Sequence, residues 1–287
     1  MAPESVAFGR EAGRGLPDEA LPAYAPMLAA YHRAHEPELR AMVADLPLRP
    51  GDRVLDLACG DGVYCCWLAE RVGPEGQVVG VDLSPAYLEL ARRTAARSPH
   101  GERVSLRLAD AYALPFADGS FDLAWCAQSM FSLPDPAGAL RELRRVTRPG
   151  GLVAVFENDL LHPMVLPWPA DLELAVRAAQ LTALEADNPA QLAVGRDLCA
   201  LFGEAGLADC RLRPYSTARH APLSADELTY LEWYLGDVRA RARDHLGPEA
   251  RGAFDALTDP ASERYMLRRP DFVVTYLDLV AVGARRA

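Results

Sequence analysis

The 287-residue chain has no lysine, so every one of its 30 basic residues is an arginine. That absence excludes Schiff-base chemistry, pyridoxal phosphate attachment and the phosphate grip of a P-loop, all of which need a side-chain amine. Isoleucine is missing too. With abundant Ala, Arg, Leu, Gly and Pro, this points to a GC-rich coding bias and bears on source more than on function. The six cysteines (Cys59, Cys65, Cys66, Cys126, Cys199 and Cys210) contain no C-x-x-C pair. No apolar run reaches the ~18 residues of a membrane span, and the opening stretch lacks the basic start and apolar core of a secretion signal. The expectation is a cytoplasmic protein with reduced thiols. Net charge is also short on the positive side, at −10, which argues against a nucleic-acid backbone as partner. Arg141, Arg144, Arg145 and Arg148 gather on one predicted helix, and a run of that kind reads as a solvated face.

What is present is ordinary globular composition, half hydrophobic and about a quarter charged. Residues 1–20 are rich in Gly, Pro, Glu and Ala without periodicity and read as a flexible arm. Over 21–46, Leu28, Tyr31, Leu39, Met42 and Val43 recur at helical spacing, and Pro37 breaks the segment into two short helices. From Arg53 onward short β-rich runs alternate with helical ones: RVLDLA, VYCCWLAERVG, QVVGVDL, PAYLELARRTAAR, RVSLRLA, FDLAWCA, PAGALRELRRVT and GLVAVFE. Such alternation predicts βαβ units on a parallel sheet. Ser84-Pro85, Asp135-Pro136 and Asn188-Pro189 each place a capping side chain before a helix-starting proline, and RPGG at 148–151 reads as a turn leading into the fifth strand. Later come a helix over about 169–186, a helix in GRDLCALFGEAGL, a strand in DCRLRPYST, a helical segment opened by the Ser224/Glu227 capping pattern, and a closing strand DFVVTYLDLVAVGA.

A glycine turn between strand and helix lets backbone approach a ligand, and the helix N-terminus adds N–H donors. In an open parallel sheet, Gly60, Gly62, Asp82 and Asp110 should converge beyond the strands' carboxyl ends. Asp82 follows Gly62 by twenty residues, the place of an acid that accepts from ribose hydroxyls, so a nucleoside is expected. A nicotinamide dinucleotide would want a third glycine where Cys65 stands, and Asp61 in the turn would repel a pyrophosphate.

Four segments in order, VLDLACGDG, VVGVDLSPAYLELAR, LADAYALPFADGSFDLAWC and LRELRRVTRPGGLVAVFE, resemble the class I S-adenosylmethionine-dependent methyltransferases, and the resemblance covers 53–158. It implies an α/β fold, a Rossmann-like doubly wound sheet of seven strands in the order 3-2-1-4-5-7-6 with only the last antiparallel. It implies one methyltransferase domain over 21–287, with helical cover from 21–46, a cofactor-binding core at 53–158, and helical substrate-side cover from 159–187 and 224–260. It further implies that S-adenosylmethionine is the cofactor. Asp56 and the backbone of Ala58, Gly60 and Gly62 would meet its methionine end, Asp82 its ribose, Leu83 its adenine, and Asp110 with Ala111 the adenine amine. Tyr31 and Gln128 complete the cofactor-side set. Ala58 stands where a glycine is often found, which a non-positive φ would tolerate. FSLP at 131–134 departs from the histidine-containing segment of many relatives, so no catalytic histidine is carried over there.

Methyl transfer is an in-line displacement, in which alignment and exclusion of water do most of the work and a base is optional. The base candidate is His162 in FENDLLHP, with Asp159 as its orienter or as an alternative base; the competing reading of His162 is a surface loop residue. His32 and His35, with Tyr24 and Tyr31, fit either a lid over the cofactor or ordinary helix packing. His220, Tyr230, Trp233 and Tyr234 would line a substrate pocket or belong to the core. Cys65 and Cys66 read as small core residues, and no metal site is expected. The expected reaction is methylation of a small molecule on oxygen, nitrogen or carbon, in natural-product or quinone biosynthesis. Expected partners are a small-molecule acceptor with no nucleic acid and no membrane span, and a homodimer is left open. An NAD(P)-dependent oxidoreductase and a non-catalytic cofactor-binding protein remain as alternatives.

Overall fold

The computed structural model describes residues 20–158, 164–185 and 194–286. The expected arm over 1–20 and the Asn188-Pro189 helix start fall outside them, apart from Ala20.

Two helices lead, α1 (Ala25–Ala34) and α2 (Glu36–Ala44), and the break comes at His35 because Pro37 occupies the first turn of α2. The alternating section follows: β1 (Arg53–Leu57), α3 (Val63–Val72), β2 (Gln77–Asp82), α4 (Pro85–Arg97), β3 (Val104–Leu108), β4 (Phe121–Ala127), α5 (Pro136–Val146) and β5 (Thr147–Asn158). The caps read at Ser84 and Asp135 are made. Ser84 Oγ accepts from the Tyr87 N–H, and Asp135 Oδ1 accepts from the Gly138 N–H at 2.8 Å. Beyond lie β6 (Met164–Val165), α6 (Ala170–Glu185), α7 (Val194–Glu204), β7 (Ala208–His220), α8 (Ala225–Ala242), α9 (Pro248–Thr258) and β8 (Val273–Ala284). Both halves of the Ser224/Glu227 capping box are present at the start of α8.

The sheet runs β3-β2-β1-β4-β5-β8, with β7 on the far side of β8 and antiparallel to it. With β7 and β8 counted as sixth and seventh, this is the expected 3-2-1-4-5-7-6 order, and β8 is the antiparallel strand. Two expectations need correction. The described residues contain eight strands, because the twelve-residue β8 outruns β5 and leaves ladder positions at Thr275 and Tyr276 for the short β6. RPGG is not a separate turn. Thr147 already pairs with Phe121, and the register shift before Leu152 makes the segment a bulge within β5, with Gly150 at φ +75°.

One face of the sheet packs on α1, α2 and α3 through Leu39, Met42, Tyr64, Trp67, Trp125 and Phe156. The other packs on α5 and α7 through Leu140, Leu143, Leu198 and Phe202. Each large apolar side chain so buried contributes about 1.5–3 kcal/mol. A third cluster joins α6, α8 and α9 to β6 and the outer half of β8. The helices flanking the core sequence are thereby anchored around the end of the sheet where the parallel strands finish.

Candidate functional site

The glycine turn is built from three residues in the left-handed region, Ala58 at φ +53°, Gly60 at +51° and Gly62 at +78°. The non-positive φ expected of Ala58 is therefore wrong, because the chain has to reverse immediately after Leu57 for the Cys59 N–H to reach the Val81 carbonyl. The two glycines have different reasons. A Cβ on Gly62 would lie 2.8 Å from the Ala91 Cβ, so Gly62 lets α4 close against the turn. A Cβ on Gly60 would meet nothing within 4 Å, so Gly60 presents bare backbone to open space.

Asp82, at the end of β2, holds that turn. Its carboxylate accepts from the Gly60 N–H at 3.0 Å and from the Ser84 N–H at 2.9 Å. Beside it Leu83 is 67% exposed, an apolar side chain with a free face. Asp110, two residues past β3, is exposed and accepts from the Tyr112 N–H at 2.9 Å, and Ala111 is half-buried next to it. The structure thus brings Gly60, Asp82, Leu83, Asp110 and Ala111 to the carboxyl ends of β1, β2 and β3. Asp56 lies beneath them, buried in β1 with its carboxylate accepting from the Cys65 thiol at 3.1 Å.

Helix α1 packs against this end of the sheet. His32 Nδ1 lies 2.8 Å from Asp61 Oδ2, tying α1 to the glycine turn, and both residues are buried. The Gln128 amide donates to the Tyr31 hydroxyl at 3.3 Å, joining α1 to the end of β4. Arg33 pairs with Asp226 and fixes α1 to α8. Tyr230 of α8 completes an aromatic group, with ring centroids 5.1 Å from Tyr31 and 5.6 Å from His35. Trp233 and Tyr234 are partly buried on the same helix. His220 departs from its expected place: it ends β7 with an exposed side chain. His162 and Asp159 lie outside the described residues.

Sequence reasoning passed over Glu157, a buried acid near the end of β5. Its carboxylate accepts from the Met130 N–H at 2.6 Å and so holds the turn after β4 that carries Phe131. An acid closing the apolar run LVAVF was the available signal. Burial pushes the Glu157 carboxyl up to about 8. Burial likewise pushes Asp56 up to about 7, helped by the charges of Asp82 and Asp61, and Asp278 in β8 up to about 7. Folded protein therefore keeps protons on these acids at pH values where the unfolded chain has already released them. Unfolding then releases protons, so stability falls as pH rises from the ordinary carboxylate range through 7 and 8. His35, held near 4 by burial, acts in the opposite sense, but only below its unfolded value of about 6.5. The expected result is a lower urea midpoint at pH 8.5 than at pH 6.5; an unchanged or higher one would mean these acids are ionised in the fold.

Comparison with known proteins agrees with this geometry. A methyltransferase-domain family model matches residues 55–155. The 27-O-demethylrifamycin SV methyltransferase of Amycolatopsis mediterranei is 30% identical over 237 residues, covering 79% of this chain and 80% of that protein. The chain belongs to the S-adenosylmethionine-dependent methyltransferases. Other members are shared over less of their length. An uncharacterised transposon protein of Streptomyces fradiae is 33% identical across 80% of this chain and 65% of its own. A demethylmenaquinone methyltransferase of Symbiobacterium thermophilum is 42% identical across 41% of this chain and 47% of its own. The chain thus spans less than two thirds of these two relatives. The solved YcgJ protein of Bacillus subtilis shares the methyltransferase fold, with a TM-score of 0.56 at 20% identity over 88% of this chain and all of that one. The residues present fit the family's sulfonium nucleoside better than a dinucleotide. Asp56 and Asp61 put two carboxyls at the turn, and the third glycine position is a buried Cys65 packed against Gly80. Among the described residues no His, Cys, Asp and Glu group could hold a metal ion, and no helix is long and apolar enough to cross a membrane.

Proposed function

We propose that this protein transfers the methyl group of S-adenosylmethionine to a small-molecule acceptor of natural-product or quinone type, on oxygen, nitrogen or carbon. The observation that carries this reading is Gly60: its N–H is fixed by Asp82, its Cα faces open space, and an exposed Leu83 lies alongside. The donor supplies an electrophilic methyl on a sulfonium. The chain's residues would then divide the binding. Asp82 accepts from the ribose hydroxyls, Leu83 packs on the adenine, and Asp110 and Ala111 address the adenine amine. Asp56 and the backbone of Ala58, Gly60 and Gly62 serve the methionine end, with Tyr31 and Gln128 at the side of the reacting group. His162, oriented by Asp159, is proposed as a base a few residues beyond Asn158. The small-molecule acceptor is supported by the named activities of the rifamycin and demethylmenaquinone relatives and by the net charge of −10. Six free thiols support a cytoplasmic protein.

Thermal melting against S-adenosylmethionine, S-adenosylhomocysteine, NADH and NADPH at equal concentration tests the reading. A ligand at a hundred times its Kd adds about 2.7 kcal/mol, a shift of several degrees. Stabilisation by the two sulfur nucleosides alone is expected. Stabilisation by a nicotinamide alone would assign the turn to a dinucleotide.

A further inference from the structure

We propose that Asp278 is an acceptor-side base of this protein, and that the acceptor it serves is a neutral molecule presenting an aromatic or enolic hydroxyl. The inference rests on the methyltransferase reading above and narrows it.

Asp278 is the one charged residue in β8, VVTYLDLVAVGA. Alternation puts it on the face of Tyr276 and Val280, which turns toward α1, α3 and α8; Leu279 and Ala281 turn the other way, onto the α5 and α7 side. Its ladder partners are Tyr215 of β7, whose hydroxyl donates to Asp45, and Asn158, the last residue of β5, so it stands at the end of the sheet where ligands of such folds lie. Its charge bears on the hydroxyls of Tyr31 from α1, Tyr64 from α3, Tyr230 from α8 and Tyr276 on its own strand. The imidazole of His35 packs edge-on against Tyr276, ring centroids 4.7 Å apart, and is held neutral by burial. Arg219, whose charge reaches Tyr276, is taken by Glu38 and Glu227 at 2.8 Å each. Among the described residues no hydrogen bond or ion pair satisfies the Asp278 carboxyl. A sheltered, unpaired acid destabilises a fold that could have used another valine there, and such groups gather at functional sites. On the donor side, the Tyr31 hydroxyl, on which the Asp278 charge bears, accepts from the Gln128 amide.

The surroundings select the acceptor. Tyr31, Tyr230 and Tyr276 make the surroundings aromatic, with ring centroids 5.1 Å apart for Tyr31–Tyr230 and 6.2 Å for Tyr230–Tyr276, which favours a flat apolar molecule, and the carboxylate repels an anion. An ammonium would be held as an ion pair without a free lone pair, whereas a hydroxyl donating its proton to Asp278 keeps lone pairs for attack. As the acceptor oxygen forms its bond to the methyl carbon, the methyl–sulfur bond breaks and its electron pair stays on sulfur as a neutral thioether. The hydroxyl proton passes to an Asp278 oxygen and then to water, so charge and atoms balance.

The test uses the full chain saturated with S-adenosylhomocysteine and titrated by calorimetry with 1-naphthol, 1-methoxynaphthalene and 1-naphthylamine. At pH 8.5, 1-naphthol should bind native protein at least ~10-fold more tightly than Asp278→Asn, the scale of a hydrogen bond to a charged acceptor. That advantage should fade as pH falls through about 7 in the native protein, and the variant should show no such dependence. The methoxy compound should discriminate neither protein. Asp278→Asn should also melt higher than native at pH 8.5 and not at pH 5, because the ionised form is the one burial penalises. Equal naphthol affinity in both proteins, preference for the amine, or nucleoside binding without naphthol binding would each overturn the inference and leave the methyltransferase reading standing. Failure to bind S-adenosylhomocysteine would overturn the methyltransferase reading itself. Were the variant not to fold, the pH profile of naphthol binding to native protein decides alone.

Discussion

Gly62→Ala is expected to lower the free energy of unfolding by about 2–5 kcal/mol, the sum of a left-handed alanine and an overpacked contact. The residue sits at φ +78°, and its new methyl would fall 2.8 Å from the Ala91 Cβ and 3.0 Å from the Ala91 Cα. The second of these is backbone of α4, which cannot swing aside as a side-chain tip would. Gly60→Ala makes the informative contrast. At φ +51° with nothing within 4 Å, its cost to stability should stay near 1–2 kcal/mol. Its methyl would occupy the space where backbone is proposed to meet the donor, and S-adenosylhomocysteine affinity should fall about tenfold or more, at 1.4 kcal/mol per decade. Urea unfolding and calorimetry on the two variants separate a packing glycine from a binding glycine. Similar losses of both properties in both variants would remove that distinction.

Asp82→Ala should weaken S-adenosylhomocysteine binding by about 1.5–3 kcal/mol, roughly 10- to 150-fold. Two effects act together. The ribose hydroxyls would lose their proposed acceptor, and the Gly60 and Ser84 N–H groups lose the carboxylate that now fixes them. Asp82→Asn keeps one carbonyl oxygen and should lose less of both. Affinity that is unchanged in Asp82→Ala, with lowered stability, would show that Asp82 only staples β2 to the turn.

The core of the site is legible in the residues alone. Gly60, Asp82 and Asp110 each close a short β-rich run, and a parallel sheet brings such positions to one edge by its geometry alone. The capping side chains Ser84, Asp135 and Ser224 are readable because their partners lie three residues away. Asp61 is legible as an acid in the turn but not as the partner of His32, 29 residues upstream. Glu157 and Asp278 escape such a reading, since an acid in an apolar strand looks like a solvent-facing position until both faces of the sheet are covered.

Local conformational preference and motifs a few residues long are enough to specify the strand–helix alternation, the nucleoside-type turn, the missing amine chemistry and the family. Long-range packing settles the rest. Through it Gly62 serves packing while Gly60 faces open space, Ala58 is left-handed, and α1 is clamped over the turn by His32, Gln128 and Asp226. Packing also brings Tyr31, Tyr64 and Tyr230, drawn from three helices, under the charge of Asp278. Those facts depend on which distant elements meet, and on the burial that meeting imposes on charge, neither of which is encoded at any single stretch of chain.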